Sequence, residues 1–199
     1  MKRKEEMIVF ISGSSKLKKL TEDMKKCLDD YMSKNVSFIV GDCYGADELA
    51  QKYLKSKGYE DVTVYCSTKK PREKRCSYDK FVSLWTESQG KTGEDFYQVK
   101  DAAMCKACDE AVAFWNGSSY GVKCNLIRCL DLNKQCKVYV SEIKDGDTTA
   151  LNEVINHAAA LKAQNSMPHL TTCLCGIPCS PFTGALHKFI TSAKKNTML

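Results

Sequence analysis

Proline, tryptophan and histidine are scarce in this sequence, whose 199 residues include 4 prolines, 2 tryptophans and 3 histidines. No stretch approaches the roughly 20 consecutive apolar residues that a transmembrane helix requires. The first apolar run, residues 7–11, is too short for the core of a signal peptide. We therefore expect a cytoplasmic protein without a membrane partner. The histidines are spread over a helical segment and the C-terminal tail, so no Ser-His-Asp or Cys-His set can be assembled from the spacing.

The composition indicates a folded protein built around one core. Hydrophobic residues make up 43% of the chain and charged residues 27%, which is typical of globular proteins. The net charge of +6 comes from scattered lysines, not from a dense stripe interleaved with aromatic residues as in many nucleic-acid-binding surfaces. Such a charge suits an anionic small ligand, or simply solubility.

Twelve cysteines are present, and most lie in periodic helix or strand patterns where a reduced thiol packs as a small hydrophobe. We therefore expect mostly free thiols. The Cys105-Lys-Ala-Cys108 segment has the spacing of a redox motif but lies late in a predicted helix. A thioredoxin-type nucleophile needs a helix N-terminus instead, which argues against a redox function.

The tail also offers three thiolates for zinc, at Cys173, Cys175 and Cys179. The candidates for a fourth ligand are Cys108, His169 and His187. Paired C-x-x-C knuckles, which mark most structural zinc sites, are missing. We therefore predict no metal site.

Short apolar or β-branched runs alternate with amphipathic segments along the chain. The predicted strands are residues 7–11, 36–40, 61–66, 111–115 and 137–140. Strands that alternate with helices form a mostly parallel sheet covered on both faces. We predict an α/β fold, a Rossmann-like three-layer αβα sandwich with a mostly parallel sheet of five strands or slightly more.

Within this fold we assign residues 1–167 to a nucleotide-binding domain and residues 168–199 to a C-terminal appendage. The appendage holds three of the four prolines and the cysteine group described above. Residues 67–94 are polar and contain only a short apolar piece. They are interpreted as a long loop or lid, because long loops in compact domains often bind ligands.

Glycine- and serine-rich turns follow the first and fourth predicted strands, at residues 13–15 and 117–121. A turn from strand into helix exposes backbone N–H groups, and the helix dipole adds positive charge there, so phosphate is a natural ligand. Lys16 and Lys123 can supplement that charge. Glycine and serine are also ordinary turn and N-cap residues, but two such loops at one sheet edge favour a ligand site.

The turn after the second strand, residues 41–47, matches neither a Walker A loop nor the G-x-G-x-x-G fingerprint. ATP hydrolysis is therefore not supported, and we expect no cofactor. Asp42 and Asp47 can orient ribose hydroxyls or act in acid–base chemistry, although Asp47 can equally cap the following helix. Lys100 can reach a phosphate and Asp101 a sugar or an attacking water, the alternative being an exposed solvated pair.

Four segments together resemble the SLOG superfamily: ISGSS at 11–15, GDCYGADELAQKYL at 41–54, KDAAM at 100–104 and DEAVAFWNGSSYGVKCNLI at 109–127. This Rossmann-like group includes the LOG-type phosphoribohydrolases, the DprA-like proteins and the YspA/YpsA-type nucleotide-binding proteins. The resemblance is closest to the last of these and covers most of residues 7–141. The FWNGSSYG segment is its most specific part.

The resemblance implies a pocket for a nucleotide or nucleotide sugar and, because such proteins commonly self-associate, a homodimer or higher homo-oligomer. Phosphate would be held by the two glycine- and serine-rich turns. The predicted ligand-binding residues are Gly13, Ser14, Ser15, Gly41, Asp42, Gly45, Asp47, Lys100, Asp101, Met104, Trp115, Asn116, Gly117, Ser118, Ser119, Tyr120 and Gly121.

The chain also departs from the pattern of its relatives. Many have arginine at the positions of Ser15 or Lys100 and threonine at that of Val122, so the phosphate contacts differ here. The PGGxGT…E motif of the phosphoribohydrolases is missing. Their cytokinin-forming reaction is therefore not implied.

Three functional hypotheses follow. The first is binding or sensing of a nucleotide-derived ligand, such as a nucleotide sugar, an ADP-ribose-like compound or a signalling nucleotide. The second is an N-glycosidic hydrolase or transferase acting on nucleosides or nucleotides, with Asp101, Asp47 or Asp42 as general base or nucleophile. The third, ranked last, is DNA binding through the basic residues 69–75, since a lysine-rich loop is usually solvated.

Overall fold

The computed structural model describes residues 7–141, 148–164, 170–174 and 180–181. The strands are β1 (Ile8–Gly13), β2 (Ser37–Gly41), β3 (Val62–Cys66), β4 (Phe81–Ser83), β5 (Glu110–Trp115), β6 (Gln135–Val140), β7 (Leu170–Leu174) and β8 (Ser180–Pro181). The α-helices are α1 (Glu22–Met32), α2 (Ala46–Ser56), α3 (Trp85–Ser88), α4 (Gly93–Ala107), α5 (Tyr120–Asp131) and α6 (Thr149–Ala163). None of these helices combines the length and apolar character needed to cross a membrane.

All eight strands belong to one sheet, in the order β4-β3-β2-β1-β5-β6-β7-β8. Each neighbouring pair from β4 to β7 is parallel, and β8 runs antiparallel to β7. The predicted Rossmann-like sandwich with a mostly parallel sheet is therefore confirmed. The sheet is larger than five strands because β4, β7 and β8 extend its edges.

All three of these added strands lie in segments that were interpreted differently from the sequence. Residues 67–94 contain a 3₁₀ turn (Glu73–Arg75), β4 and α3 in addition to loop. Residues 170–174, assigned above to the C-terminal appendage, form β7 and pair with β6 in the main sheet. The sheet thus continues past the predicted boundary at residue 168.

Two apolar layers lie on the two faces of the sheet. In β1, Val9 and Ile11 contribute to the layer that includes the buried residues of α1 and α2, whereas Phe10 contributes to the layer of α4, α5 and α6. This division follows from the twofold alternation of side chains along a strand. Apolar side chains therefore cover both faces of β1 and β5, as expected for the centre of a parallel sheet.

The strand order reverses beside β1. The chain passes from β1 to β2, β3 and β4 on one side, then returns to β5, β6 and β7 on the other. In open α/β sheets, ligands bind outside the carboxyl ends of the strands at such a switch point. The turns that follow β1 and β5, both predicted as phosphate loops, flank this position.

Gly13, the last residue of β1, allows three elements to approach closely. A Cβ atom added there would lie 2.1 Å from Cβ of Ala46 and 2.8 Å from the carbonyl oxygen of Phe114. Both distances are far below van der Waals contact, and one neighbour is backbone. Glycine is therefore required at this junction of β1, β5 and α2.

We predict that Gly13→Ala lowers the free energy of unfolding by about 2–3 kcal/mol, because the added methyl group would overlap backbone atoms that cannot move aside. Urea denaturation measures this. Gly121→Ala is the matched control, since no atom lies within 4 Å of a Cβ there. Alanine favours a helix over glycine by up to about 1 kcal/mol, so the control should be neutral or stabilising. Equal losses in the two variants would contradict the packing argument.

Candidate functional site

A cavity of about 460 Å³ opens at the carboxyl edge of the sheet, between α4 and α5. Phe10 and Ser12 of β1 contribute to its lining, so it lies at the switch point. The lining residues are Phe10, Ser12, Gly13, Ser14, Ser15, Lys16, Cys43, Asp47, Glu94, Tyr97, Gln98, Lys100, Asp101, Met104, Asn116, Ser118, Ser119, Tyr120, Gly121, Val122 and Asn125. A cavity of this size suits a small organic ligand.

Ser14 and Asn116 join the turns after β1 and β5. The Ser14 hydroxyl donates to Oδ1 of Asn116 at 2.8 Å, and the Asn116 backbone N–H donates to Oγ of Ser14 at 3.0 Å. The Ser14 backbone N–H donates to the carbonyl oxygen of Phe114 at 2.9 Å. The two turns therefore form one connected wall of the cavity.

Asn116 also occupies two of the backbone donors that a phosphate would otherwise use. The N–H groups of Ser118 and Ser119 donate to its Oδ1 at 3.3 and 3.0 Å. The donors left for a ligand are those of the first turn of α5, which have no partner inside the helix. Ser119, the N-cap, forms no side-chain cap hydrogen bond, and the space beside Gly121 is open.

On the β2 side, the cavity carries a buried cluster of charged groups. Lys100 is only 3% exposed, and its Nζ lies 2.6 Å from Oδ1 of Asp101. A Cβ at Gly41 would lie 2.4 Å from Oδ2 of Asp47 and 2.9 Å from Nζ of Lys100. Both charged atoms therefore lie next to this glycine, which has no side chain to displace them.

Burial and these neighbours change the protonation of the cluster. Burial raises the pKa of Asp47 to about 7, although the charge of Lys100 and the N–H of Cys43 oppose the shift. Burial disfavours the charge of Lys100, but attraction by Asp101, which also accepts a hydrogen bond from it, outweighs this effect, so the pKa of Lys100 is raised. Burial also raises the pKa of the Cys43 thiol, against the effect of Lys100. The cavity thus holds a cationic lysine beside a carboxyl that titrates near neutrality.

Asp42, predicted as a site residue and as one of the catalytic candidates, lies outside the cavity lining. Its carboxylate accepts from Nε and Nη2 of Arg72 at 3.0 and 2.8 Å and from the Arg72 backbone N–H at 3.2 Å. Asp42 is 1% exposed. Its lone pairs are thus directed to the 67–94 segment, which this bidentate pair holds against the end of β2.

The cavity brings together most of the predicted ligand-binding residues. Those in its lining are Gly13, Ser14, Ser15, Asp47, Lys100, Asp101, Met104, Asn116, Ser118, Ser119, Tyr120 and Gly121, together with Lys16. Those outside it are Gly41, Asp42, Gly45, Trp115 and Gly117. The Trp115 side chain is wholly buried in the apolar layer of α4 and α5. A side chain at Gly45 would meet the Ser14 carbonyl oxygen at 2.4 Å, so that glycine serves packing.

Several lining residues were not predicted from the sequence. Asn125 donates from Nδ2 to Oγ of Ser12 at 3.1 Å, and Arg128 bridges Oδ1 of Asn125 and Oε1 of Gln98 at 3.2 and 3.1 Å. This network joins β1, α5 and α4 beside the cavity. Ser12 follows Phe10 at the twofold spacing of a strand face, and that signal could have identified it.

Helical spacing could likewise have identified further residues of α4. Tyr97 lies one turn before Lys100 and Asp101, and Glu94 a further turn before that, so the cavity-facing side of α4 extends to its first turn. Their side chains were missed because only the KDAAM segment carried a family resemblance.

The basic segment 69–75 makes several contacts within the protein. The Arg72 guanidinium lies 5.4 Å from the Tyr97 ring centre, that of Arg75 lies 3.1 Å from the Tyr44 ring centre, and Nζ of Lys69 lies 5.6 Å from the Trp85 ring. These cations therefore already face aromatic rings of the same chain.

The nine cysteines whose side chains the structure describes carry free thiols. Within the described ranges no group of three or more His, Cys, Asp or Glu residues is arranged to hold a metal ion. Of the zinc candidates in the tail, His169, Cys175, Cys179 and His187 lie outside the described residues, and Cys173 is described only as part of the β7 backbone.

Neither a protein-family model nor a curated protein matches the chain. Among solved structures, the chain is similar to DNA processing protein A from Helicobacter pylori, described for its single-stranded DNA binding mode. Here the identity is 13% and the TM-score 0.55, covering 96% of this chain and 81% of that chain.

Two structures of the molybdenum cofactor carrier protein of Chlamydomonas reinhardtii are also similar, each at 14% identity, with TM-scores of 0.54 and 0.52. They cover 96% and 94% of this chain and 97% and 99% of theirs. At such identities the likeness establishes a common fold. The SLOG resemblance, including its closer YspA/YpsA-type part, stays a prediction.

We predict that Asp47 gives the stability of the protein a measurable pH dependence. Its folded pKa is raised from 3.8 to about 7, so the folded state holds the proton more tightly than the unfolded chain. The stabilisation of the folded state by this proton is fully present below pH 3.8 and is lost as the pH rises through about 7. Relative to Asp47→Asn, the wild-type free energy of unfolding should fall by up to about 1 kcal/mol per pH unit in that range.

Urea denaturation of both proteins across this pH range gives the difference directly. Glu48→Gln is the control, because that carboxylate pairs with Lys52 on the surface of α2. In this variant the free energy of unfolding should change with pH as steeply as in the wild type. A difference between wild type and Asp47→Asn that stays constant with pH would show that Asp47 titrates normally.

Proposed function

We propose that this protein binds a nucleotide or nucleotide-derived small molecule in the cavity between α4 and α5. The observation that carries the proposal is the position of the cavity at the switch point, with the first turn of α5 open to it. The N-terminus of a helix binds anions through its unpaired N–H groups and its dipole. The anionic group of the ligand is therefore placed beside Gly121.

The two sides of the cavity favour different parts of such a ligand. The β5 side offers backbone N–H groups and the hydroxyls of Ser118 and Ser119, whereas the β2 side offers the carboxyl groups of Asp47 and Asp101. Carboxylates accept hydrogen bonds from hydroxyl and amine groups. A ligand with an anionic end and a hydroxyl-bearing sugar matches this arrangement.

Two tyrosines supply flat apolar surface for a base. Tyr97 of α4 and Tyr120 of α5 both line the cavity and are 44% and 51% exposed. Exposed aromatic rings stack on nucleobases irrespective of base identity. They favour a ligand that carries a base over a simple sugar phosphate.

The fold alone does not identify the ligand. The structurally similar proteins are described by different ligands, single-stranded DNA in one case and the molybdenum cofactor in the other. A common fold therefore indicates where a ligand binds, and the lining residues determine which one. Three cations of the basic segment 69–75 already face aromatic rings of the same chain. This favours a small ligand over DNA.

The test is a thermal-shift and calorimetric comparison of wild type, Gly121→Ala and Gly121→Asp. Probes are nucleoside phosphates, nucleotide sugars, ADP-ribose, cyclic signalling nucleotides and a single-stranded oligonucleotide. A ligand at a hundredfold excess over Kd stabilises the folded state by about 2.7 kcal/mol and should raise Tm by at least about 5 °C. Gly121→Asp places a carboxylate where the anion is expected, so the shift should disappear.

The aspartate itself is compatible with folding, because acidic residues are favourable in the first turn of a helix. Gly121→Ala should retain most of the binding. This variant adds a side chain without a charge, so the comparison shows whether the loss in Gly121→Asp comes from the charge of the side chain or from its size. Binding that persists in Gly121→Asp, or the absence of any shift with the small-molecule probes, would refute the proposal. A shift with the oligonucleotide alone would support DNA binding instead.

A second candidate function, N-glycosidic bond cleavage, is favoured by the Asp47–Lys100–Asp101 cluster. A carboxyl with a pKa near 7 is suited to general acid–base work at neutral pH. In this reaction the bond between C1′ and the base nitrogen breaks, and a water oxygen adds to C1′. One carboxyl supplies a proton to the departing base while another accepts one from the water.

Chromatography of each bound ligand distinguishes binding from cleavage. Free base released by wild type and lost in Asp47→Asn or Asp101→Asn, with binding retained, would establish a glycosidase. Asp42→Asn is a poor test of chemistry, because that carboxylate is paired with Arg72. Ligand recovered intact from wild type would leave a binding or sensing role.

A further inference from the structure

A chain of hydrogen bonds between four polar side chains, the amide network, joins β1, α5 and α4 beside the cavity. Its members are Ser12, Asn125, Arg128 and Gln98. Asn125 donates to Oγ of Ser12 at 3.1 Å. Arg128 donates to Oδ1 of Asn125 at 3.2 Å and to Oε1 of Gln98 at 3.1 Å. Every member except Arg128 lines the cavity.

Arg128 fixes the direction of every hydrogen bond in the amide network. A guanidinium has five N–H donors and no acceptor, so the atoms that it contacts must be the amide oxygens of Asn125 and Gln98. The amide nitrogen of Asn125 is therefore the atom that faces Ser12, and Oγ of Ser12 is the acceptor. The orientation of both amides thus follows from the chemistry of arginine.

This orientation leaves hydrogen atoms without an acceptor in the cavity lining. The hydroxyl hydrogen of Ser12 and the amide hydrogens of Gln98 make no hydrogen bond to the residues that the structure describes. The oxygens of both amides, in contrast, already accept from Arg128. Ser12 is only 5% exposed, and an unpaired donor costs free energy in such a place. This part of the cavity therefore favours a ligand atom that accepts hydrogen bonds.

Apolar side chains of the cavity lining accompany these donors. Phe10, Met104 and Val122 line the cavity and are at most 2% exposed. Phe10 lies on the same strand face as Ser12, and Val122 lies one turn before Asn125 on α5. A phosphate in such surroundings would lose its water without meeting a free cation. An uncharged carbonyl oxygen on a flat ring suits both the donors and the apolar lining.

We propose that the cavity selects bases with an oxo group, the 6-oxopurines and 4-oxopyrimidines, over the amino bases adenine and cytosine. This inference rests on the function proposed above and names the class of base that the site takes. An oxo oxygen accepts hydrogen bonds from the free donors of Ser12 and Gln98. An exocyclic amino group would instead place its own hydrogens against theirs. Arg128 is a positioning residue, because it orients the two amides without lining the cavity.

The test compares two matched pairs of nucleotides by calorimetry, inosine with adenosine monophosphate and uridine with cytidine monophosphate. Each pair differs in the oxo or amino group and the hydrogen on the adjacent ring nitrogen. The amino member should bind about tenfold more weakly or worse, because it leaves buried donors unpaired. The ratio of the two Kd values within a pair is the quantity of interest.

Variants of the amide network should change this ratio. Arg128→Met frees both amides to turn their oxygens to the cavity, so the ratio should fall towards one. Arg128→Lys keeps a head group that only donates and should retain part of the preference. Gln98→Glu replaces an amide donor by a carboxylate acceptor, so the ratio should fall or reverse. Lys106→Met is the control, since it removes a positive charge from an exposed position of α4 outside the cavity lining, and it should keep the wild-type ratio.

The ratio separates selectivity from folding. A poorly folded variant loses active protein for both nucleotides alike, which leaves the ratio of Kd values unchanged. Equal affinities within both pairs, or a preference for the amino members, would overturn the inference and leave the proposed function standing. A wild-type ratio in both Arg128→Met and Gln98→Glu would overturn it as well. If none of the four nucleotides binds, the inference fails, and the wider set of probes described above decides on the proposed function.

Discussion

The hydrogen bonds between Ser14 and Asn116 cross the point where the strand order reverses, and the geometry of the site depends on them. Ser14 also accepts, through its carbonyl oxygen, from the N–H groups of Leu17 and Ala46, both at 3.1 Å. One small residue thus connects the turn after β1 to the turn after β5 and to the start of α2. Glycine at positions 13 and 45 is what permits this approach, since side chains there would collide with backbone oxygens. The wall of the cavity is therefore held by close backbone packing at these two glycines together with the Ser14–Asn116 hydrogen bonds.

Much of the fold could be predicted because the central strands carry continuous apolar runs followed by glycine turns. The five predicted strands correspond to β1, β2, β3, β5 and β6, within a few residues at each end. The missing strands lie towards the two ends of the sheet, where the hydrophobic signal of the sequence is weak. β4 is three residues long and exposes Phe81 and Val82, and β7 follows a change in composition that was interpreted as an appendage. Pairing with a neighbour, which sequence periodicity does not encode, defines both of them.

The site was predictable to the extent that it follows strand ends. The turns at 13–15 and 117–121 lie where a parallel sheet places its ligands, and all of their residues except Gly117 line the cavity. The roles of individual side chains were harder to predict, because they depend on partners distant in sequence. In the sequence, Asp42 resembles a free acidic group at a strand end. In the structure, Arg72, thirty residues later in the chain, donates hydrogen bonds to its carboxylate. Asn116 resembles a ligand contact, yet its side-chain oxygen accepts hydrogen bonds from the turn itself.

The raised pKa of Asp47 also links ligand binding to the solvent. Asp47 lies beside Lys100 in the cavity, so a ligand that alters the electrostatic potential there changes the average number of protons the protein holds. An incoming anion would favour the protonated carboxyl, and the protein would then take up a fraction of a proton from the buffer. The heat of binding would include the ionisation enthalpy of that buffer, and affinity would weaken as the solution becomes more alkaline. Through this one buried side chain, pH would become a variable of the proposed binding equilibrium.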